Sequence, residues 1–409
     1  MKNLETLIQK LCPDGVEFVK FGDVGTFYGG LSGKSKADFT DGNAKFVTYM
    51  NVYSNPALNT DIKDFVKIEE GEKQNKVLYG DVLFTGSSET PNECGMTSVL
   101  TEKTEEDLYL NSFCFGYRFN DIDNVNPGFM KHLFRSHMLR KALAKTASGV
   151  TRFNVSKKKV ANIEIPLPPI EVQTEIVHIL DKFTSLEAEL EAELDCRKRQ
   201  YEYYRDKLLS FDNVGGQEVT IGKVGDLGKI CMCKRIMKNQ TNSESGIPFY
   251  KIGTFGKEAD AYISEDLYEE YKQLYSYPKK GDVLMSAAGT IGRTVVFDGK
   301  PSYFQDSNIV WVDNDETKVL NTYLNYYYQV IEWKTQGGTI KRLYNNLLAG
   351  ATIKYPSIAE QHRIVSILDR FESLTTSLQS GLPAEIAARR QQYEHYRDKL
   401  LTFKRKRVA

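Results

Sequence analysis

The stretch Arg197-Lys-Arg-Gln-Tyr-Glu-Tyr-Tyr-Arg-Asp-Lys-Leu-Leu-Ser-Phe211 returns near the end of the chain as Arg389-Arg-Gln-Gln-Tyr-Glu-His-Tyr-Arg-Asp-Lys-Leu-Leu-Thr-Phe403. A helical phrase said twice marks a chain built from two equivalent halves. Upstream, Gln173, Ile176, Val177, Ile179, Leu180, Asp181, Phe183 and Leu186 match Gln361, Ile364, Val365, Ile367, Leu368, Asp369, Phe371 and Leu374. The upstream set is offset by 188 positions (361 minus 173) and the phrase by 192 (393 minus 201), so the second copy holds four extra residues around Gly381-Leu-Pro383. Gly closing one helix and Pro opening the next is the expected punctuation. Apolar residues recur by threes and fours, through Ile176, Leu180, Phe183, Leu186, Leu190, Leu194, Tyr201, Tyr204 and Leu208, and through Ile364, Leu368, Phe371, Leu374 and Leu378. That spacing is a coiled-coil seam. Pro168-Pro-Ile-Glu171 and Ser357-Ile-Ala-Glu360 open the two copies, the second with a capping-box pattern. A helix from Glu171 to Phe211 would span ~60 Å at 1.5 Å per residue.

A fainter repeat lies before each helix: Val19-Lys-Phe-Gly-Asp-Val-Gly25 is answered by Val219-Thr-Ile-Gly-Lys-Val-Gly225, and Gly80-Asp-Val-Leu-Phe84 by Gly281-Asp-Val-Leu-Met285. Short apolar strands between turn residues, Val16–Phe21, Phe46–Met50, Asp81–Phe84 and Phe113–Phe119, predict a mainly β first module with a helix near Gly128 to Lys145. The second has strands at Pro248–Ile252, Asp282–Met285 and Ser307–Val312 and a helix near Lys318 to Trp333. The predicted fold is α+β: modules over 1–168 and 213–356, separated by two long antiparallel coiled-coil helices over 169–212 and 357–409. Divergent modules on well-kept helices suit two readers of different things on one frame.

At 409 residues, 41% apolar and 26% charged, the chain has ample material for two cored modules. No stretch approaches a membrane span, and the N-terminal residues lack the features of a secretion signal, so a cytoplasmic protein is expected. Six scattered cysteines, of which only Cys231 and Cys233 are close, lack the paired clusters of a zinc site. Net charge is zero, but Lys131 to Asn162 carries nine cations and no acid. A one-signed run of that length favours a phosphate-facing surface over a merely solvated one.

Gly29-Gly-Leu-Ser-Gly-Lys-Ser35 is one residue short of a nucleotide phosphate loop, with Tyr28 where the first Gly belongs. Lys34, Ser35 and Lys36 still suit phosphate contact. The Asn/Asp-Pro-Pro-Tyr/Phe loop of an amino-methyltransferase is missing, since Leu167 precedes the one Pro-Pro, and neither a nuclease triplet nor a helicase signature occurs. The chain is expected to catalyse nothing by itself and to bind no cofactor or metal. What remains is hydrogen-bonding side chains in polar loops: Thr85, Ser87 and Ser88; Arg152, Asn154 and Lys157; Ser286, Thr290 and Arg293; Gln305 and Asn308; Lys341, Arg342 and Asn345. Arg and Lys read guanine, and Asn and Gln adenine, through paired bonds in the major groove of DNA. Tyr326-Tyr-Tyr328 could offer a stacking platform but is expected to be core.

The duplicated halves, the Arg-Asp-Lys-Leu-Leu-Ser/Thr-Phe endings and the Gly-Asp-Val-Leu pair resemble the specificity subunit of Type I restriction-modification enzymes over essentially the whole chain. That resemblance implies two target recognition domains, each reading half of a bipartite site in double-stranded DNA, with helices setting the spacer. It further implies docking of two modification subunits and of restriction subunits, which would carry S-adenosylmethionine, ATP and Mg. Candidate docking positions are Leu180, Phe183, Tyr201, Tyr204 and Leu208, with Leu368, Phe371, Tyr393, Tyr396 and Leu400. Rival readings are a fused enzyme, which would need the absent methyltransferase motifs, and a non-catalytic coiled-coil DNA-binding adaptor outside restriction-modification.

Overall fold

A computed structural model describes residues 2–211, 218–337, 341–376 and 381–406. Leu378 and the boundary expected at 212/213 lie outside the described residues. The chain divides into one unit of residues 1–191 with 385–409 and another of 192–384.

In the first unit the apolar run Val82–Thr85 is buried along its whole length, inside a four-stranded antiparallel sheet ordered Gly25–Gly29, Cys114–Phe119, Val82–Thr85, Thr97–Val99. A second sheet runs Phe65–Val66, Ala44–Val47, Leu108–Leu110, Lys76–Val77, its middle pair parallel. Phe21 stands edge-on to Tyr117 at 4.5 Å and to Phe134 at 5.1 Å, in a core that also takes Val172, Ile176 and Leu180. The predicted boundary at 168/169 is therefore not a break in packing. The N-terminal helix Lys2–Leu11, unread in the sequence, sends Leu4 into the same core, and Val16 bridges Arg405.

The second unit repeats the plan. Its four-stranded sheet is ordered Gly228–Cys231, Ile309–Asn314, Val283–Ser286, Thr294–Val296, and its mixed sheet Tyr262–Ile263, Ile247–Tyr250, Tyr303–Phe304. Tyr326, Tyr327 and Tyr328 are buried, as core.

The repeated Gly-Asp-Val-Leu has one structural job in both. Gly80 (φ 84) and Gly281 (φ 94) adopt the left-handed turn that favours glycine, and Asp81 and Asp282 accept the amides of Leu78 and Lys279. Two other amide locks match atom for atom. Buried Gln173 donates to the carbonyls of Pro168 and Asn124 and accepts from the Asn126 amide. Buried Gln361 does the same with Pro356, Lys318 and Leu320.

The first helix copy is continuous from Ile170 to Ser210, and within it Leu186-Glu-Ala-Glu precedes Leu190-Glu-Ala-Glu, one four-residue unit twice over. The second copy is two helices, Ile358–Thr376 and Leu382–Leu400, with Gly381 at φ 84 just before the second. In the first unit Phe183 stacks on Tyr396 while Glu187 pairs with Arg390, so partner numbers fall as helix numbers rise and the helices run antiparallel.

Two predicted helices are shorter than expected. Gly128 to Lys145 is interrupted at buried Ser136, whose hydroxyl caps a second helix by accepting from Leu139, giving Pro127–Arg135 and His137–Ala144. Lys318 to Trp333 contracts to Asn321–Tyr327, beyond which the Trp333 indole donates to the Tyr328 carbonyl.

Candidate nucleic-acid interface

Each unit presents a cleft at the ends of its central strands. In the first, Ser87–Ser88 pairs with Phe153–Val155, which forms a hairpin with Ala147–Ser148. A cleft of about 520 Å³ opens there, lined by Tyr49, Met50, Tyr53, Ser87, Ser88, Glu89, Glu93, Phe113, Thr151 and Arg152. The Arg152 Nε donates to Ser87 Oγ at 3.1 Å, and its guanidinium lies 5.5 Å over the Phe113 ring. Ser87, Ser88 and Arg152 are thus brought together, with Asn154 exposed on the hairpin and the Lys157 amine 5.2 Å from the Phe115 ring. Glu93 is held below the usual carboxylate range by hydrogen bonds from Thr90 and Tyr53.

In the second unit the corresponding cleft, about 500 Å³, gathers Gln305, Asn308 and Arg342 with Arg235, Lys238 and Lys251. Arg342 bridges Ala288 and Gln336 in the place of the first unit's hairpin. Gln305 Oε1 accepts from the Ile252 amide at 2.9 Å. Arg235 pairs with Asp306. Lys341 and Asn345 are exposed beside Arg342, and Thr290 and Arg293 are exposed on the loop below.

Several candidates belong to the frame instead. Thr85 and Ser286 are buried, and their hydroxyls accept the amides of Met96 and Arg293 at 3.0 Å, pinning the base of each loop away from any ligand. Lys34, its side chain only 8% exposed, is spent on Glu72, whose carboxyl its hydrogen bond holds down at about 2. Ser35 is tied to Asp38, leaving Lys36 exposed, and none of the three lines the cleft.

The basic run also divides. Arg135 donates to the carbonyls of Thr97, Val52 and Tyr53, and Arg140 to those of Asn92 and Cys94. Burial brings the Arg135 guanidinium down to about 10 and lowers that of Arg140. Lys131 pairs with Asp181. These three are structural, whereas Lys141, Lys145, Arg152, Lys157, Lys158 and Lys159 are exposed.

On the helices, Leu180 and Leu368 are wholly buried in their own units and offer nothing to a docking partner. Phe183 stacks on Tyr396 in the first unit and, equivalently, Phe371 on Tyr204 in the second. Tyr393 and Leu400 pack against the first core, Tyr201 and Leu208 against the second. Tyr393 faces buried His132, Nδ1 to hydroxyl at 2.8 Å, while His132 Nε2 lies 2.7 Å from Asp181. Burial, above all, lowers His132, so the neutral imidazole donates to Asp181 and accepts from Tyr393. Burial opposes ionisation of Asp181, but the bonds from His132 and Lys131 outweigh it and hold the carboxyl at about 2. Tyr326 takes the place of His132 in the second unit and donates to Asp369 and Glu372.

Sequence reasoning missed Tyr49, Met50 and Phe113, which fall in predicted strands, and Tyr53; it also missed Arg235, Lys238 and Lys251, the last inside the predicted strand Pro248–Ile252.

No helix among the described residues is long and apolar enough to cross a membrane. The family model for the Type I restriction modification DNA specificity domain matches residues 13–195 and 216–388. A putative type I restriction enzyme specificity subunit of Haemophilus influenzae is 53% identical over 293 residues, 69% of this chain and 74% of that protein. The EcoR124I/EcoR124II type I specificity subunit of Escherichia coli is 35% identical over 61% of this chain and 64% of its own length. A solved chain of a type I restriction-modification system, 19% identical, superposes with a TM-score of 0.62 over 95% of this chain and 97% of its own, sharing the fold. Matched twice along its length, once for each unit, the chain belongs to the Type I restriction-modification DNA specificity family.

Proposed function

We propose that the chain is the sequence-reading subunit of a Type I restriction-modification assembly, each unit reading one half of a bipartite site in double-stranded DNA. The observation that carries this is the pair of equivalent clefts, built on matching strands and lined by different side chains. Cations at the rims would hold phosphates, and side chains inside would meet base edges. Two modification subunits would dock along the helices and bring S-adenosylmethionine to an adenine in each half. Restriction subunits with ATP and Mg would complete a nuclease, so this chain contributes recognition and spacing without catalysis. A DNA-binding adaptor outside restriction-modification is not favoured, because the family match runs through both units.

The helix Ile170–Ser210, shared by both units, would set the gap between the half-sites. Glu-Ala-Glu-Leu inserted after Leu190, which makes a third copy of the four-residue unit, adds about 6 Å of helix while keeping most seam residues in phase. At about 3.4 Å per base pair the gap should grow by roughly one to two pairs. Methylation sequencing should show identical half-sites further apart; a folded insert with an unchanged gap would refute the ruler.

A further inference from the structure

The mouth of the first cleft carries apolar surface that folding does not require. Met50 and Phe113 are 59% and 57% exposed, and Val150, at the tip of the hairpin, is 92% exposed. Such a tip ordinarily takes Gly, Asn, Asp or Ser, which turn or bond to their own backbone. A β-branched apolar residue there packs against nothing. The turn itself is tightly set: Gly149 sits at φ 148, and a Cβ on it would meet the Arg152 carbonyl at 2.0 Å. Arg152, tied to Ser87 and laid over Phe113, fixes the other side. The hairpin therefore presents Val150 outward on a held base, among the exposed cations of the 131–162 run.

Resting on the reading of this unit as a DNA reader, we infer that it recognises a thymine through its 5-methyl group, with Val150 as the contacting side chain and Phe113 and Met50 closing the apolar surface around it. A two-stranded ribbon fits the major groove, and the thymine methyl is the apolar feature presented there. Charge complementarity selects the occupant, since an apolar tip ringed by cations suits a polyanion bearing methyl groups better than it suits a protein face. The second unit has Asn308 where the first has Phe113, each directly before the long central strand, and although exposed Met237 also lines its cleft, Arg342 stands there in place of the hairpin that carries Val150. Methyl reading should thus belong to one half-site.

The test uses the full chain and duplexes carrying the site defined by methylation sequencing. Tighter binding to that duplex than to a scrambled one tests the DNA-reading function itself; equal binding would overturn that reading and this inference with it. Each thymine is then replaced in turn by deoxyuridine, which removes only the methyl. One half-site should contain a position where the replacement weakens binding about fourfold, the worth of one buried methyl near 0.8 kcal/mol. In Val150→Ser, whose exposed site leaves folding intact, that penalty should vanish while site preference over scrambled DNA persists. Selective binding with no thymine sensitive to methyl loss, or a penalty undiminished in Val150→Ser, would overturn the inference alone.

Discussion

The two units differ least at their bases and most at their mouths. Gln173 and Gln361 make the same three bonds, and Thr85 and Ser286 pin the same loop amide. At the mouth Phe113 stands against Asn308, and a cleft with Tyr49, Tyr53 and Phe113 against one with Gln305, Arg235 and Arg342. Between the two levels, His132 and Tyr326 solve the same problem, bonding Asp181 or Asp369, with different chemistry. A buried backbone group must be satisfied and few side chains can reach it, so likeness persists where the partner is the chain itself. Where the partner lies outside, the side chain is free to change.

The comparison can be broken first at the amide locks. Gln173→Ala and Gln361→Ala each strand two carbonyls and one amide, and each should cost about 3 kcal/mol. Denaturant unfolding followed by unit-specific hydrogen exchange should show nearly equal losses, the first in its own unit and the second in the other. A cost confined to one lock would deny the equivalence.

A smaller effect should separate the units by pH. Burial lowers His132 in the folded state, aided by Lys131 and Arg397, so the unfolded chain takes up the proton first. Stability of the first unit should then fall as pH drops below about 6.5, by at most about 1.4 kcal/mol per pH unit. Asp181, held near 2, keeps its contribution until pH falls below the ordinary carboxylate range. Tyr326 has no proton to gain there, so exchange protection of the second unit should be flat from about pH 7.5 to about 5.5, the range in which an ordinary histidine titrates. His132→Tyr should flatten the first unit as well; a slope surviving that change would place the titration elsewhere.

Smaller again, Arg152→Ala and Lys157→Ala should weaken DNA binding across sequences and reduce the salt dependence by about one unit of slope for each phosphate left without its cation. Lys34→Ala, removing a cation already spent on Glu72, should leave that slope unchanged. Equal slopes for all three variants would detach the exposed part of the basic run from the duplex.

The helical repeat made the two-unit plan legible, because a seam spaced by threes and fours and the phrase ending at Phe211 and Phe403 can be read without a structure. Strand centres were legible for the same reason, as in Val82–Thr85 and Val283–Ser286. Burial was not. Thr85 and Ser286 look like any polar loop residue, and only the fold shows their hydroxyls turned inward. Arg135 and Arg140 belong to a basic run whose one-signed charge says nothing of which guanidinium groups are consumed by carbonyls. Phe113 falls in a predicted strand and Val150 drew no reading, and their exposure depends on a hairpin that pairs with residues about 65 positions away. The helix start at Leu382 was visible as Gly-Leu-Pro, whereas the N-terminal helix gave too short a periodicity to announce itself.

The account rests on one reader per half-site, and exchanging residues 213 to 356 for the corresponding segment of a relative with a different methylated motif tests it most directly. Methylation sequencing of DNA from cells carrying the hybrid and its modification subunit should show one half of the motif replaced, with the other half and the gap unchanged. A motif altered in both halves, or in neither, would contradict the account.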